Sequence, residues 1–162
     1  MELLFDADAL IKLNRAGILR RVAEVFDCAM PHEVFEEVVV KGGEYAHSDA
    51  EEIERVIASD MVVRPPVAIS EEYPRLDTGE RAVLALASQG ENRVIVSDDR
   101  QFVNFLSRAG IPHLVPAALI IVMAQQQILT TDEAREHLNR LRPLIRTDSY
   151  MEALQELEKL EA

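Results

Sequence analysis

Aspartates stand close together at two distant points of the chain. Asp6 and Asp8 lie in "LLFDADALI", and Asp98 and Asp99 lie in "RVIVSDDRQF". Each group follows directly on a short apolar run. Carboxylates brought together away from water raise one another's pKa values and oppose folding. A hard divalent cation, Mg²⁺ or Mn²⁺, is the simplest neutralising partner for oxygen ligands of this kind. Two further acidic groups fall in helical patterns: Asp77 and Glu80 in "DTGE", and Glu36 and Glu37 in "HEVFEEVVV". Each also has a plainer explanation. Aspartate is a favoured N-cap, and both pairs precede a helix. Asp77 and Glu80 have the spacing of a capping box. Glu36 and Glu37 flank the apolar face of Val34, Phe35, Val38 and Val39 on opposite sides, so periodicity does not choose between them.

These acids meet only if the fold carries them to one place. The apolar runs "ELLF", "CAM", "MVVR", "RVIVS" and "HLV" read as strands. Between them lie helical patterns: "DALIKLNRAG" with Gly17 as its stop, "ILRRVAEVF" with Ile18, Val22 and Val25 or Phe26 on one side, and "HEVFEEVVVKGG", opened by Pro31 and ended by Gly42 and Gly43. "SDAEEIERVIAS" follows, capped by Ser48 or Asp49. Later come "DTGERAVLALASQG", "RQFVNFLSRAG" and "PAALIIVMAQQQ", then two closing helices near 131–141 and 149–160. Strands alternating with helices imply a three-layer α/β/α sandwich around a mostly parallel sheet. Right-handed crossovers put the strand C-termini on one edge, where such sheets bind ligands. Residues 1–130 read as the nucleus of this fold and 131–162 as a helical extension of the same domain.

The formal net charge of −12 speaks against broad, cation-driven binding of phosphate backbones. It leaves room for a carboxylate site bridged to phosphate by a metal, which reverses the local sign. The longest apolar helix, "LVPAALIIVMA", is too short to span a bilayer. The N-terminus lacks a basic leader region. One cysteine, Cys28, excludes an internal disulfide and a cysteine zinc site. Cytoplasmic residence is the economical reading.

The motifs in order resemble the PIN-domain family over most of the chain. "LLFDADALIKL" is similar to its first strand and turn, which places Asp6 at the first acidic position and Asp8 at a supporting one. "PHEVFEEVV" resembles its Pro–Val–Glu pattern and selects Glu37. "LDTGERAVLALA" resembles the Gly-Glu form of the third acidic position, filled by Glu80 or by Asp77. "VIVSDDRQFVNFL" resembles a segment that gives Ser97 the small polar position, Asp99 the acid and Phe102 the aromatic, with Asp98 an additional acid. The resemblance implies a metal-dependent ribonuclease using Mg²⁺ or Mn²⁺, with Asp6, Glu37, Glu80 and Asp99 catalytic. It implies that Asp6 and Asp99, with Asp98, hold the metal, supported by Asp8, Ser97 and Asp77. Many bacterial and archaeal members are dimeric VapC-like toxins restrained by a small antitoxin.

Lys12 and Arg100, close behind the acidic pairs, are candidate RNA contacts. His32, His47, His113 and His137 lack metal-ligand spacing, and Cys28 sits in an apolar run that suits a core. Met151, Leu154, Leu157 and Leu160 form one stripe of the last helix, suited to core, a dimer contact or an antitoxin helix. Two rival readings remain. "LLFDADAL" and "VIVSDD" also resemble the acidic motifs of haloacid-dehalogenase-like phosphohydrolases, although that family's lysine has no well-placed counterpart. A catalytically silent PIN-like RNA-binding or scaffold protein would carry the same acids without cleaving.

Overall fold

The first apolar run becomes β1 (Glu2–Phe5), whose Leu3, Leu4 and Phe5 are wholly buried. That burial on both faces is what a central strand of a parallel sheet requires. The structure, a computed structural model, describes residues 1–40, 47–69 and 72–162, with His47 and Ser48 described by their backbone alone. Beside β1 lie β2 (Asp27–Pro31) on one side and β4 (Arg93–Val96) on the other, both parallel to it. β3 (Met61–Arg64) and β5 (His113–Leu114) form the edges, giving the order β3-β2-β1-β4-β5. The chain winds outward from β1 to β3, then returns to the other side of β1. β1 and β4 therefore flank the point where the winding reverses, and a crevice opens there at the strand C-termini.

Helices cover both faces. α1 (Ala7–Arg15), α2 (Leu19–Val25) and α4 (His47–Asp60) pack together, and α5 (Thr78–Ser88) lies over β1, β2 and β4. Gly17, with φ +75°, follows α1 as the expected stop. On α2 the alternative resolves toward Phe26, which packs against the core, while Val25 faces solvent. α6 (Arg100–Ala109) buries Phe102 and Leu106 and ends at Gly110 in the left-handed conformation.

Two elements depart from the sequence expectation. "HEVFEEVVV" is not one α-helix: α3 (His32–Phe35) passes into a π-helical turn over Glu36–Val40. Three successive β-branched valines make poor α-helix, and single π turns recur at functional sites. The expected stop at Gly42 and Gly43 lies outside the described residues. α4 begins at His47, so Asp49 sits in its first turn, where its carboxylate takes Asn14 at 3.0 Å and Arg15 at 3.1 Å.

The C-terminal helices α7 (Pro116–Gln125), α8 (Thr131–Leu141) and α9 (Thr147–Glu161) pack on one another, and α7 and α8 also reach α1. His137 Nδ1 lies 2.9 Å from the Ala16 carbonyl oxygen and ties α8 to the end of α1. Along α9, Leu157 is buried and Leu154 packs against the core, whereas Met151 and Leu160 are 44% and 39% exposed. Among the described residues, no helix is long and apolar enough to cross a membrane.

Candidate active site

Sheet register decides which acids can meet. Phe5 pairs with Val96, so the next residues, Asp6 and Ser97, emerge side by side from adjacent strands. Ser97 Oγ donates a short hydrogen bond to Asp6 Oδ2, and both residues are buried. Asp6 also caps α1, its Oδ1 accepting from the Ala9 N–H at 2.9 Å. Two residues beyond Ser97, Asp99 caps α6: its Oδ1 accepts from the Phe102 N–H at 2.9 Å, and its own N–H donates to Ser97 Oγ at 3.2 Å. Asp77 caps α5 in a reciprocal box. Its Oδ1 accepts from the Glu80 N–H at 2.7 Å, and Glu80 Oε1 accepts from the Asp77 N–H at 3.0 Å. The capping explanation thus holds for Asp6, Asp77 and Asp99, and the same side chains gather at one place. Three helices, α1, α5 and α6, aim their N-termini at one place and soften its negative charge.

A cleft of about 70 Å³ is bordered by Asp6, Asp8, Glu37, Asp77, Glu80 and Asp99, together with Ala7 and Gly79. Asp6 and Glu80 sit deepest, at 4% and 8% exposure. Asp77 and Asp99 lie at the exposed rim, with Asp8 and Glu37 between. The π turn settles what periodicity left open. Glu37 faces the cleft, whereas the exposed Glu36 lies 2.9 Å from His32 Nε2.

Burial pushes the Asp6 carboxyl from 3.8 to about 7, against the lowering bonds from Ser97 and Ala9 and with a further push from the charges of Asp8 and Glu80. Burial likewise raises Glu80 to about 7; the Asp77 N–H opposes the shift, and the neighbouring charges of Asp77 and Asp99 add to it. These are carboxylates whose ionisation the chain compensates incompletely.

Asp98 departs from the expected ligand set. Its carboxylate lies 2.6 Å from Lys12 Nζ and does not border the cleft. Lys12 also reaches Asp8 at 3.0 Å, so this expected RNA contact is engaged within the protein. The cause is positional: in the pair Asp98–Asp99, only the second residue caps α6, and the first turns toward α1. Arg100, the first residue of α6, is exposed.

Gly79, the glycine of the Gly-Glu form, borders the cleft itself. A Cβ there would stand 3.1 Å from Glu37 Oε2 and 3.5 Å from Asp77 Oδ1. The signal was a glycine inside a strong helical pattern, which costs helix stability without a packing reason. Cys28 is core, as its apolar run suggested, and burial pushes its thiol up to about 12.

An all-oxygen, carboxylate-lined cleft suits a hard cation in its donor chemistry. Among the described residues, no three His, Cys, Asp or Glu side chains already close on one point as a finished ligand set. Asp6, Asp99 and Glu80 instead turn oxygens toward protein donors. An acceptor oxygen keeps a second lone pair, so capping and coordination are compatible.

A sheet reversing at an acid-lined crevice, with helices on both faces, defines a PIN-like α/β protein. The family profile described as "DUF3368: PIN domain" matches residues 2–159, and the chain belongs to that family. Among solved structures, a PilT N-terminus domain protein from the hyperthermophilic archaeon Sulfolobus solfataricus shares the fold. Its TM-score is 0.53 at 14% identity, covering 74% of this chain and 90% of that one. No curated protein matches the sequence. PIN domains are generally nucleases. Membership sets aside the haloacid-dehalogenase reading.

Proposed function

We propose that the protein is a metal-dependent ribonuclease that hydrolyses RNA phosphodiester bonds at the cleft between β1 and β4. The observation that carries this reading is the meeting of six carboxylates from four separate segments around one small cleft. Asp6, Asp99, Glu80 and Glu37 would hold Mg²⁺ or Mn²⁺. When bound, such an ion supplies a more acidic water and takes up charge developing on the phosphate.

The chain's own residues do the positioning. Ser97 fixes the Asp6 carboxylate through its hydroxyl and receives the Asp99 N–H, so one small side chain aligns both acids. Asp77 and Glu80 lock each other through the capping box, which holds Glu80 against the floor. The N-termini of α1, α5 and α6 offer partial positive charge where an RNA phosphate approaches. Asp8 and Asp98 hold Lys12, and so brace α1 against the segment that carries Asp99.

A panel of RNAs incubated with Mn²⁺ tests the reaction. The expected outcome is cleavage by the parent protein, none in EDTA, and none by Asp6→Asn or Asp99→Asn. Cleavage that survives both substitutions and chelation would place the activity elsewhere. A parent protein that binds RNA and Mn²⁺ yet never cuts would instead be the silent scaffold.

Within the family resemblance, the finer reading is a homodimeric, cytoplasmic toxin restrained by a small antitoxin. Met151 and Leu160, exposed on α9, offer apolar contacts for such a partner. Expression should arrest growth, and the product of a small adjoining reading frame should relieve the arrest. Unimpaired growth under expression of active protein would end the toxin reading.

A further inference from the structure

α6 carries two stripes. Phe102 and Leu106 face the core, whereas Gln101, Asn104, Phe105 and Arg108, spaced i, i+3, i+4 and i+7, share another side. That second side lines a hollow of about 420 Å³, which Tyr73, Arg75 and Leu76 line as well. The volume lies within the roughly 300–1,000 Å³ typical of small-molecule sites. Tyr73 and Phe105 are half-buried and meet edge to face, with ring centroids 5.0 Å apart at 68°. Gln101, Asn104, Arg75 and Arg108 stand exposed around them.

Three observations bear on the ligand. First, the chain carries a formal charge of −12, yet neither Arg75 nor Arg108 forms an ion pair with a described residue. Second, the hollow and the acidic cleft share their supports. Leu76 precedes Asp77, and Gln101 lies two residues after Asp99. Third, Glu72 also lines the hollow, and its negative charge disfavours a phosphate inside it.

We infer that this hollow receives one nucleobase of single-stranded RNA, next to the phosphodiester lying in the cleft. The inference rests on the nuclease reading for the strand's identity and adds where the strand is held. The base lies against Phe105 and Tyr73. Its edge meets the amides of Gln101 and Asn104, which both donate and accept, while Arg75 and Arg108 face the flanking phosphates. Single-stranded RNA is recognised in this manner elsewhere, through aromatic or guanidinium stacking and hydrogen bonds to base edges.

The test is fluorescence anisotropy with a short, 2′-O-methylated single-stranded RNA that resists cleavage, in Mn²⁺ buffer. A companion set of strands lacks one base in turn. Phe105→Leu keeps apolar volume but removes the ring, and should weaken binding about tenfold. Arg75→Ala with Arg108→Ala changes exposed side chains only, and should weaken binding and flatten its salt dependence. One abasic strand should bind the parent weakly and be indifferent to Phe105→Leu. Melting curves confirm that each variant is folded. Unchanged affinity in both variants overturns the inference, as does an equal loss on every abasic strand. Loss of a protein partner with RNA affinity intact would assign the hollow to that partner instead. Pocket variants that bind and cleave like the parent leave the nuclease reading standing. Pocket-dependent binding by a parent that never cleaves defeats only the nuclease reading.

Discussion

Asp98 and Asp99 share a peptide bond, yet Asp98 turns to Lys12 at 2.6 Å while Asp99 borders the cleft with Asp6 and Glu80. Around Asp98 the protein provides its own cation. Burial raises the Asp98 carboxyl, and Lys12 pulls it back. Burial works against the Lys12 charge as well, but its bonds to Asp98 and Asp8 leave it raised above its ordinary value. Among the described residues no Lys, Arg or His lines the cleft around Asp6 and Glu80, and both carboxyls stand near 7. A carboxylate group that is internally neutralised is structural. One left short of positive charge is, on the proposed reading, where a cation from outside would bind.

The contrast breaks most visibly in activity. Asp6→Asn and Asp99→Asn should each lower RNA cleavage by about a hundredfold or more. The same Asp6→Asn should not destabilise the metal-free protein at pH 8, because an amide oxygen can still accept from Ala9 and the buried charge is gone. Its stability should rise by roughly 1–4 kcal/mol there. A variant that loses both activity and stability would show Asp6 to be a structural acid like Asp98.

Lys12→Met sharpens the other side. It leaves Asp98 buried without its cation, and should cost about 1–2 kcal/mol at pH 8. The cost should shrink at low pH, where Asp98 takes a proton. Equal losses at both pH values in thermal melts would mean that Lys12 contributes packing alone. Gly79→Ala is the mildest change. Its Cβ would press on Glu37 Oε2 from 3.1 Å. Cleavage should fall about tenfold or less, with little change in melting temperature. Full activity would show Glu37 free to yield, and unnecessary in its present position.

Much of this was legible in the chain. The strands and most helices follow from apolar alternation and turn residues, and the acids from their places behind strands. Three features were hidden. The π turn over Glu36–Val40 is announced by no helical periodicity, so only the family resemblance selected Glu37 over Glu36. The Lys12–Asp98 pair joins residues 86 apart in sequence, and nothing local signals it. The aromatic hollow joins Tyr73, from an irregular stretch, to a face of α6 that reads as ordinary solvated helix. What a sequence pattern encodes is local backbone preference; which neighbouring acid finds a partner depends on long-range packing.

The most direct test is the melting temperature with and without Mn²⁺, measured from pH 5 to pH 8. Because the folded-state pKa of Asp6 lies near 7 and its unfolded value near 3.8, the folded state holds more protons between them. Stability without metal should therefore fall as pH rises through 7. Mn²⁺ should restore it most at pH 8, where the ligands are ionised, by roughly 3 kcal/mol at hundredfold saturation. The shift should be small at pH 5, and largely lost in Asp99→Asn. A Mn²⁺ shift that is absent at pH 8, or equal across the range and in Asp99→Asn, would contradict a cleft built to share a cation.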